Sequence, residues 1–467
     1  LKETVMSVFL YLGMFFALTL ILAAGIYSGK KVSSSYDFSV GGRKVGYLFI
    51  AGTITGTLVG GASTVGTSEL AYSYGFSAWW FTLGAGLGCL LLGLIFVKPI
   101  YRTGDETISQ ILAEEYGEKV GLISSVFVSI GMFINIVAQI LSAVAIISSM
   151  FKITGIAASS LAALLMVVYV VFGGVWSTGI VGIVKLLLLY ISVIIGGSMA
   201  LKLGGGVSHF LEALPADQYF NLFARGKSID LGAGLSLIVG VLSTQTYIQA
   251  VLSGKDRATS QKGALLSALL IPPIGIAGIF IGMYMKLNYP QIVPSSALPQ
   301  FVLSHMPPFV SGIIMAALLV TVVGTGAGLA LGISTVITKD ICKNYIRKNQ
   351  DESKLLNISR LAIVVVLAAA VIFTAGNLKS YILEWSFMSM GLRGASVFVP
   401  LCTVFFLKGC ISKEFVLAGV LLSPLSVLAG KLILPGGLDP LFIGIGVNVI
   451  ILVLGILFNK KIPAHKL

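Results

Sequence analysis

Charged residues are scarce in this sequence. Asp, Glu, Lys and Arg make up 10% of its 467 residues, whereas 57% are hydrophobic. Soluble domains carry about 25% charged residues, so the composition excludes an ordinary soluble protein. A bilayer core takes about 20 apolar residues per helix, and runs of that kind recur along the whole chain. The composition therefore predicts an all-α polytopic membrane protein with no separate soluble domain.

Cysteine and histidine are also rare, and their scarcity excludes several kinds of site. The four cysteines have no metal-ligand spacing and indicate no disulfide framework. The three histidines fall in predicted loops or in the tail, so no metal site or catalytic histidine is expected. No nucleophile–base pair and no phosphate-binding loop appears. We therefore predict neither an enzyme nor a cofactor.

Apolar stretches separated by clear breaks predict thirteen membrane spans. Breaks such as SYGFS, FGGVWSTG, SGKDRATSQKG and LPGGLDP set their limits. The first stretch is too long for the core of a signal peptide, and we interpret it as a retained helix. The predicted spans are 5–28, 47–72, 78–98, 120–149, 155–172, 179–201, 231–252, 262–286, 309–338, 358–375, 380–406, 414–430 and 440–459.

Positive charge is distributed unevenly between the two sides. About two thirds of the 31 Lys and Arg residues lie in alternate loops that begin with 29–46, or in the C-terminal tail. The positive-inside rule then predicts a protein of the cell membrane with its N-terminus outside and its C-terminus in the cytoplasm. Contact with anionic lipids accounts for the net charge of +13, so no nucleic-acid partner is expected.

Glycine is abundant in the second predicted span, which contains AGTITGTLVGGASTVGTSEL. Each glycine weakens a helix by about 1 kcal/mol relative to alanine. Close helix packing is one explanation. The other is a discontinuous helix whose freed carbonyl and N–H groups line a site near the membrane midplane. The span 309–338 ends in the similar VTVVGTGAGLALGISTVITKD, and two such spans favour a polar cavity between them.

Five stretches, taken in order, resemble the sodium/solute symporter family. They are GGRKVGYLFIAGTITGTLVGGASTVGTSELAYSYGFSAWW (41–80), TGDETISQILAEEYG (103–117), TYIQAVLSGKDRATSQKGALLSA (246–268), GLALGISTVITKDICKNYI (328–346) and LRGASVFVPLCTVFFLKG (392–409). The resemblance implies a LeuT-like fold. In that fold one extra N-terminal helix (1–46) precedes two inverted repeats of five helices (47–202 and 203–407), and two C-terminal helices (408–467) follow.

The resemblance also implies where a sodium ion would lie. In sodium-coupled members, carbonyl groups of core helices one and eight and two hydroxyl side chains of core helix eight hold the ion. Sodium prefers such hard oxygen ligands. The carbonyl positions match Gly56, Val59 and Thr321, and the hydroxyl positions match Gly324 and Thr325. One of the two hydroxyl groups is therefore missing from this chain.

Some members bind a second sodium ion, and this chain lacks its ligands as well. The position of an aspartate on core helix five matches Gly182. The positions of further serines on core helix eight match Ala327 and Gly328. We therefore expect the second sodium site to be absent.

Lys185 is the single charge in the predicted span TGIVGIVKLLLLYISVIIGG. A cation there costs about 2.5–3.5 kcal/mol on insertion scales. It follows Gly182 by close to one helical turn. The resemblance implies that its ammonium replaces sodium, as a lysine of this helix does in the LeuT-like amino-acid/polyamine superfamily. The alternative is a side chain that extends to the cytoplasmic surface.

A lysine in place of sodium implies sodium-independent transport. Reversible protonation of Lys185 would make H⁺ the coupling ion of a proton symporter, whereas a permanently protonated lysine would give a uniporter or exchanger. Na⁺ is then the less favoured coupling ion. A conventional sodium-coupled symporter is the main alternative, and a channel or a membrane sensor is a further one. A monomer is expected to suffice, with a small-molecule substrate and membrane lipids as partners.

Four positions match the sugar-binding residues of relatives: Ser63, Leu237, Val241 and Phe387. Three of them are apolar, which disfavours a sugar because unmatched buried polar groups are costly. The freed N–H groups of a broken helix suit a carboxylate, so an amino acid or small organic acid is favoured. Nucleobases and amines stay open. Arg393 either binds a substrate carboxylate or pairs with carbonyls at a bend in MGLRGAS.

Two glutamates, Glu69 and Glu384, lie near the outer ends of their predicted spans. Solvated side chains are the simpler expectation for both, because charged groups near the end of a span can reach water. A role in a gate or an interface is the alternative.

Overall fold

A computed structural model describes residues 8–29, 44–103, 107–172, 175–338, 352–433 and 438–458 of the chain. These residues form helices, and within them the only β-type pairing is one isolated bridge between Val45 and Gly254. The prediction of an all-α protein is confirmed.

The α-helices are numbered here in chain order. They are α1 (Val8–Gly29), α2 (Tyr47–Leu58), α3 (Thr67–Tyr74), α4 (Trp80–Leu91), α5 (Val97–Thr103), α6 (Ile108–Tyr116), α7 (Glu118–Phe151), α8 (Gly155–Phe172), α9 (Val175–Leu203), α10 (Gly206–Ala213), α11 (Ala216–Tyr219), α12 (Lys227–Leu242), α13 (Gln245–Leu252), α14 (Arg257–Asn288), α15 (Ala297–His305), α16 (Pro308–Thr335), α17 (Glu352–Ala375), α18 (Ile382–Phe406), α19 (Lys413–Ile433) and α20 (Pro440–Leu457).

Within the described residues, nine helical stretches are long and apolar enough to cross a membrane, and α12 with α13 would make a tenth. Three shorter apolar helices lie at Val8–Ile21, Tyr47–Leu58 and Gly155–Tyr169. Each predicted span is mostly helical in its described part. The number thirteen itself stays a prediction, because several spans are short or interrupted.

The second predicted span is broken, as its glycines suggested. The helix α2 ends at Leu58, and a π-helical turn, Ala62–Gly66, leads into α3. The N–H of Val59 still reaches the carbonyl of Thr55 at 2.7 Å, but the N–H of Gly60 turns to the carbonyl of Leu58. The run of residues with low helix propensity explains why the break occurs here.

A second break separates α12 from α13, with a bend of 45°. The sequence predicts one continuous span at 231–252, so this break is a correction. The hydroxyl of Thr244 donates to the carbonyl of Gly240 at 2.5 Å. Serine and threonine hydroxyls compete with helical backbone bonds in this way, which allows the helix to end without a glycine or a proline.

The most buried long helices surround the two breaks. The most apolar stretches of 18 residues in α7, α16 and α18 are 78%, 67% and 72% buried, whereas those in α17 and α20 are 22% and 28% buried. The helices α17 and α20 therefore lie at the periphery of the bundle, and α7, α16 and α18 lie in its interior.

Candidate functional site

Glycines bring the backbones of α2 and α9 into direct contact. A Cβ atom added to Gly56 would lie 3.1 Å from the Cα of Gly182, and one added to Gly182 would lie 3.1 Å from the carbonyl oxygen of Gly52. Both explanations of the glycine-rich span therefore hold, since some glycines serve close packing and others the break. An aspartate at position 182 would not fit unless α2 moved.

Lys185 lies one turn further along α9, and its side chain points into the protein. The residue is 6% exposed. Its Nζ donates a hydrogen bond to the carbonyl oxygen of Thr321 on α16, at 3.4 Å. The alternative of a side chain that extends to the cytoplasmic surface is therefore not what the structure shows. The ammonium instead links α9 to α16.

The turn of α16 opposite Lys185 carries part of the predicted sodium site. The hydroxyl of Thr325 donates to the same Thr321 carbonyl at 3.0 Å. A Cβ atom added to Gly60, in the break after α2, would lie 3.2 Å from the Thr325 hydroxyl oxygen. The structure thus brings Lys185, Thr321 and Thr325 together beside this break. Gly324 faces a neighbouring helix and supplies no hydroxyl.

The positions of the second sodium site have different surroundings. Ala327 is buried, while Gly328 is exposed and has open space where a side chain would project. Gly182 touches α2. None of the three residues carries a side-chain oxygen, so these positions offer an ion no side-chain ligand.

Gln139 of α7 is a site residue that the family resemblance did not indicate. Its Oε1 accepts a hydrogen bond from the N–H of Gly61 at 3.1 Å, and its Nε2 donates to the Oδ1 of Asn135 at 3.2 Å. A polar pair four residues apart in an apolar span was the signal that could have revealed it. The freed N–H of Gly61 is therefore occupied by a side-chain oxygen.

Of the four residues at positions that match sugar ligands of relatives, three pack against α4 and the fourth lies in the break after α2. The hydroxyl of Ser63 donates to the carbonyl of Gly60 at 3.0 Å. Leu237 and Val241 pack against glycines of α4, with their Cβ atoms 3.0 Å and 2.9 Å from Cβ positions built there. Phe387 packs on Phe81 at a ring distance of 5.7 Å. Their role as substrate ligands stays a prediction.

Arg393 of α18 lies at the second break and is 1% exposed. Its guanidinium donates to the hydroxyl of Thr244 at 3.0 Å and to the carbonyl and hydroxyl oxygens of Ser389 at 3.2 Å and 3.0 Å. A fourth contact joins it to the sulfur of Met390 at 3.2 Å. These contacts agree with a structural role, and binding of a substrate carboxylate stays a prediction.

Glu69 is buried, at 5% exposure, so the expectation that it is solvated is wrong. Its carboxylate accepts a hydrogen bond from the N–H of Ile382 at 2.8 Å, at the start of α18. A carboxylate is stabilised at a helix N-terminus by the free N–H groups and the helix dipole. Glu384 is exposed, as expected.

A buried ion pair lies next to Phe387. The guanidinium of Arg225 donates to Asp230 at 2.8 Å and to the hydroxyl of Ser77 at 2.9 Å. Its central carbon lies 5.4 Å from the centre of the Phe387 ring, a cation–π distance. Arg225 falls in a predicted loop, where nothing in the sequence distinguishes it from a solvated residue.

Similar proteins of known function are transporters. The chain is 26% identical over 448 residues to the high-affinity choline transporter 1 of Drosophila melanogaster, covering 90% of this chain and 70% of the relative. It is 23% identical over 443 residues to the sodium/glucose cotransporter of Vibrio parahaemolyticus, covering 84% and 79%.

Solved structures show the fold. A Na⁺-coupled sialic acid symporter in a substrate-bound outward-open state superposes with a TM-score of 0.77 at 19% identity, covering 98% of this chain and 99% of the other. A nucleobase-cation-symport-1 family transporter gives 0.58 at 13% identity, covering 90% and 93%. The predicted LeuT-like fold is confirmed. The family model described as "Sodium:solute symporter family" matches residues 38–413, and this multi-pass membrane protein therefore belongs to the sodium:solute symporter family.

Proposed function

We propose that this chain is a secondary active transporter of a small solute in which Lys185 takes the place of the sodium ion. One observation carries the proposal: the buried ammonium of Lys185 donates to the Thr321 carbonyl, an oxygen at a position where relatives bind sodium. The hydroxyl of Thr325 shares that carbonyl. A cation tethered to α9 would then do what a diffusible ion does elsewhere in the family.

Alternating access follows from the same contact. A protonated Lys185 attracts the Thr321 carbonyl and holds α9 to α16, whereas a neutral lysine loses most of that attraction. Binding and release of H⁺ would then couple to movement of these helices. We place the chain in the cell membrane, with its N-terminus outside and its C-terminus in the cytoplasm, on the charge distribution of its loops.

An amino acid or small organic acid is our first candidate substrate, from the apolar character of Leu237 and Val241 and the buried cation Arg393. The bond between Gly61 and Gln139 weighs against a carboxylate bound at that N–H. A quaternary amine is the second candidate. The Phe387 ring already lies at cation–π distance from Arg225, and aromatic faces bind quaternary ammonium groups well; choline transporters are among the relatives.

The test is uptake by the purified protein in liposomes. Thermal-shift screening of amino acids, monocarboxylates, nucleobases and choline first identifies a stabilising compound. Its uptake is then measured with sodium replaced by potassium or N-methylglucamine. We expect uptake to persist without sodium and to respond to an imposed pH gradient. A tenfold or greater loss of uptake on removal of sodium would contradict the sodium-independent mechanism and favour a conventional sodium symporter.

A further inference from the structure

The glycine at position 324 leaves a space on α16 that a tyrosine of α8 occupies. A Cβ atom added to Gly324 would lie 3.2 Å from both the Cζ and the hydroxyl oxygen of Tyr169. Met166, one turn earlier on α8, lies against Gly326 in the same way, with its Cε 2.6 Å from a Cβ there. The phenol end of Tyr169 therefore lies beside the place where a serine or threonine side chain at position 324 would begin.

Two polar groups near this turn of α16 have unused hydrogen-bonding capacity. The ammonium of Lys185 has three donors, and it makes a single hydrogen bond within the described residues, at 3.4 Å. Tyr169 is partly buried, and its hydroxyl makes no hydrogen bond in the same part of the chain. Each group can therefore take a further partner during transport without losing a hydrogen bond that it already makes.

We propose that the Tyr169 hydroxyl supplies the oxygen that position 324 lacks, so that α8 completes the cation site of this chain. Tyr169 is a positioning residue in this site. During transport its oxygen would accept a hydrogen bond from the ammonium of Lys185, a bond absent from the conformation described here, and it would bind a sodium ion when that lysine is removed. The inference rests on the proposed role of Lys185, and it adds a third helix, α8, to a site otherwise formed by α9 and α16.

The test follows thermal unfolding of the purified full chain while sodium chloride replaces potassium chloride at constant ionic strength. Lys185→Ala removes the ammonium group from the cation site. This protein then receives either Tyr169→Phe, which removes only the hydroxyl, or the control Tyr190→Phe. Tyr190 of α9 is a matched control because it too is partly buried and its hydroxyl has no hydrogen bond within the described structure.

We expect no sodium-specific rise in the Tm of the wild-type protein. Lys185→Ala should show such a rise, because an ion that binds only the folded state stabilises it. Adding Tyr169→Phe should raise the sodium concentration needed for the same effect about tenfold, the equivalent of about 1.4 kcal/mol. Tyr190→Phe should leave it unchanged.

Equal sodium responses of Lys185→Ala with and without Tyr169→Phe would overturn the inference, and so would the absence of any response in Lys185→Ala. A sodium response of the wild-type protein would instead contradict the role of Lys185 itself, so the two failures are distinguishable. Lys185→Ser serves as a second background if Lys185→Ala does not fold.

A rescue variant separates a role for the oxygen from a role in packing. Gly324→Ser, added to the protein that carries Tyr169→Phe, returns a hydroxyl to α16 at the position where relatives have one. Phenylalanine at position 169 leaves more room for the serine side chain than tyrosine does, because the phenol oxygen is one of the atoms nearest to position 324. The sodium response should recover. If it does not, the hydroxyl of Tyr169 has no part in the site.

Discussion

Two buried cations within the described residues, Arg393 and Lys185, lie beside different helix breaks and are held very differently. Arg393 makes four contacts of 3.0–3.2 Å with Thr244, Ser389 and Met390. Lys185 makes one hydrogen bond to the part of the chain that the structure describes, at 3.4 Å. Within the described residues neither cation has a carboxylate at ion-pair distance. A side chain with four contacts is fixed in place, whereas one with a single long bond can exchange its partner at little cost.

The chemistry of the two side chains agrees with this difference. A guanidinium is planar and permanently charged, and it presents its donors in a rigid fork. An ammonium is a compact charge on a flexible stem, and its protonation state responds to its surroundings. Arg393 therefore suits the permanent junction between α18 and the break after α12. Lys185 suits a contact that forms and breaks while α9 and α16 move.

Removal of Arg393 should have the largest effect. Arg393→Ala removes the hydrogen bonds to Thr244 and Ser389, whose hydroxyl groups keep the bonds that they donate, and it opens a cavity at the second break. We expect a loss of about 3 kcal/mol or more in stability, because truncation of a large buried side chain to alanine costs about 2–5 kcal/mol. The measurement is the apparent Tm in detergent. Arg102→Ala, at an exposed arginine, is the control. A stable Arg393→Ala protein that fails to bind its substrate would instead favour a carboxylate site.

A methyl group at position 182 should have the next largest effect. Gly182→Ala places a Cβ atom 3.1 Å from the carbonyl oxygen of Gly52, so α2 and α9 must separate. Overpacking of this kind costs about 1–3 kcal/mol. Gly328→Ala is the matched control on α16, since nothing lies within 4 Å of its added Cβ. Equal Tm values for the two variants would mean that α2 and α9 are not in close contact in the membrane protein.

Replacement of Lys185 should separate transport from stability. Lys185→Met keeps an unbranched side chain and removes the charge, while the Thr321 carbonyl keeps its bond from Thr325. We expect a change in stability of about 1 kcal/mol or less, the net value of one ordinary hydrogen bond, and a loss of uptake of at least about tenfold. Uptake and Tm are measured on the same preparation. A protein as unstable as Arg393→Ala would show that the two cations are equally structural.

The helical fold could be predicted from the sequence because the signals for it are local. The shortage of charge and the lengths of the apolar runs predict a helical bundle, and the glycines of the second span favour either close packing or a break in that span. The break between α12 and α13 could not be predicted in this way, because the sequence LSTQT at the break contains neither glycine nor proline. It depends on contacts that Thr244 makes with Gly240 and with Arg393, which is far away in the chain.

The candidate site was predictable only in part, for a similar reason. Lys185 and Thr325 were identified because a charge in an apolar run and a family motif can be recognised along the sequence. Gln139 and Tyr169 are brought to the candidate site by contacts with residues far away in the chain, Gly61 and Gly324. Their residue types are ordinary for buried helices, so position in three dimensions alone distinguishes them. Glu69 was misjudged because the helix N-terminus that it contacts belongs to another span.

Low pH should change stability the least of the perturbations considered. The contribution of His305 to this pH dependence must be known before the protonation of Lys185 can be studied. His305, outside the spans, stacks on Phe301 and lies 3.1 Å from the Tyr284 hydroxyl. Burial lowers the pKa of His305 below its ordinary value of 6.5. The unfolded chain therefore takes up a proton first as the pH falls. Stability present above about pH 6.5 should decline as the pH drops through the lowered pKa of His305.

His305→Gln should flatten this decline in Tm while leaving the pH dependence of uptake unchanged. If uptake flattens as well, the proton that matters for transport is bound at His305, and the contrast between Lys185 and Arg393 says nothing about coupling.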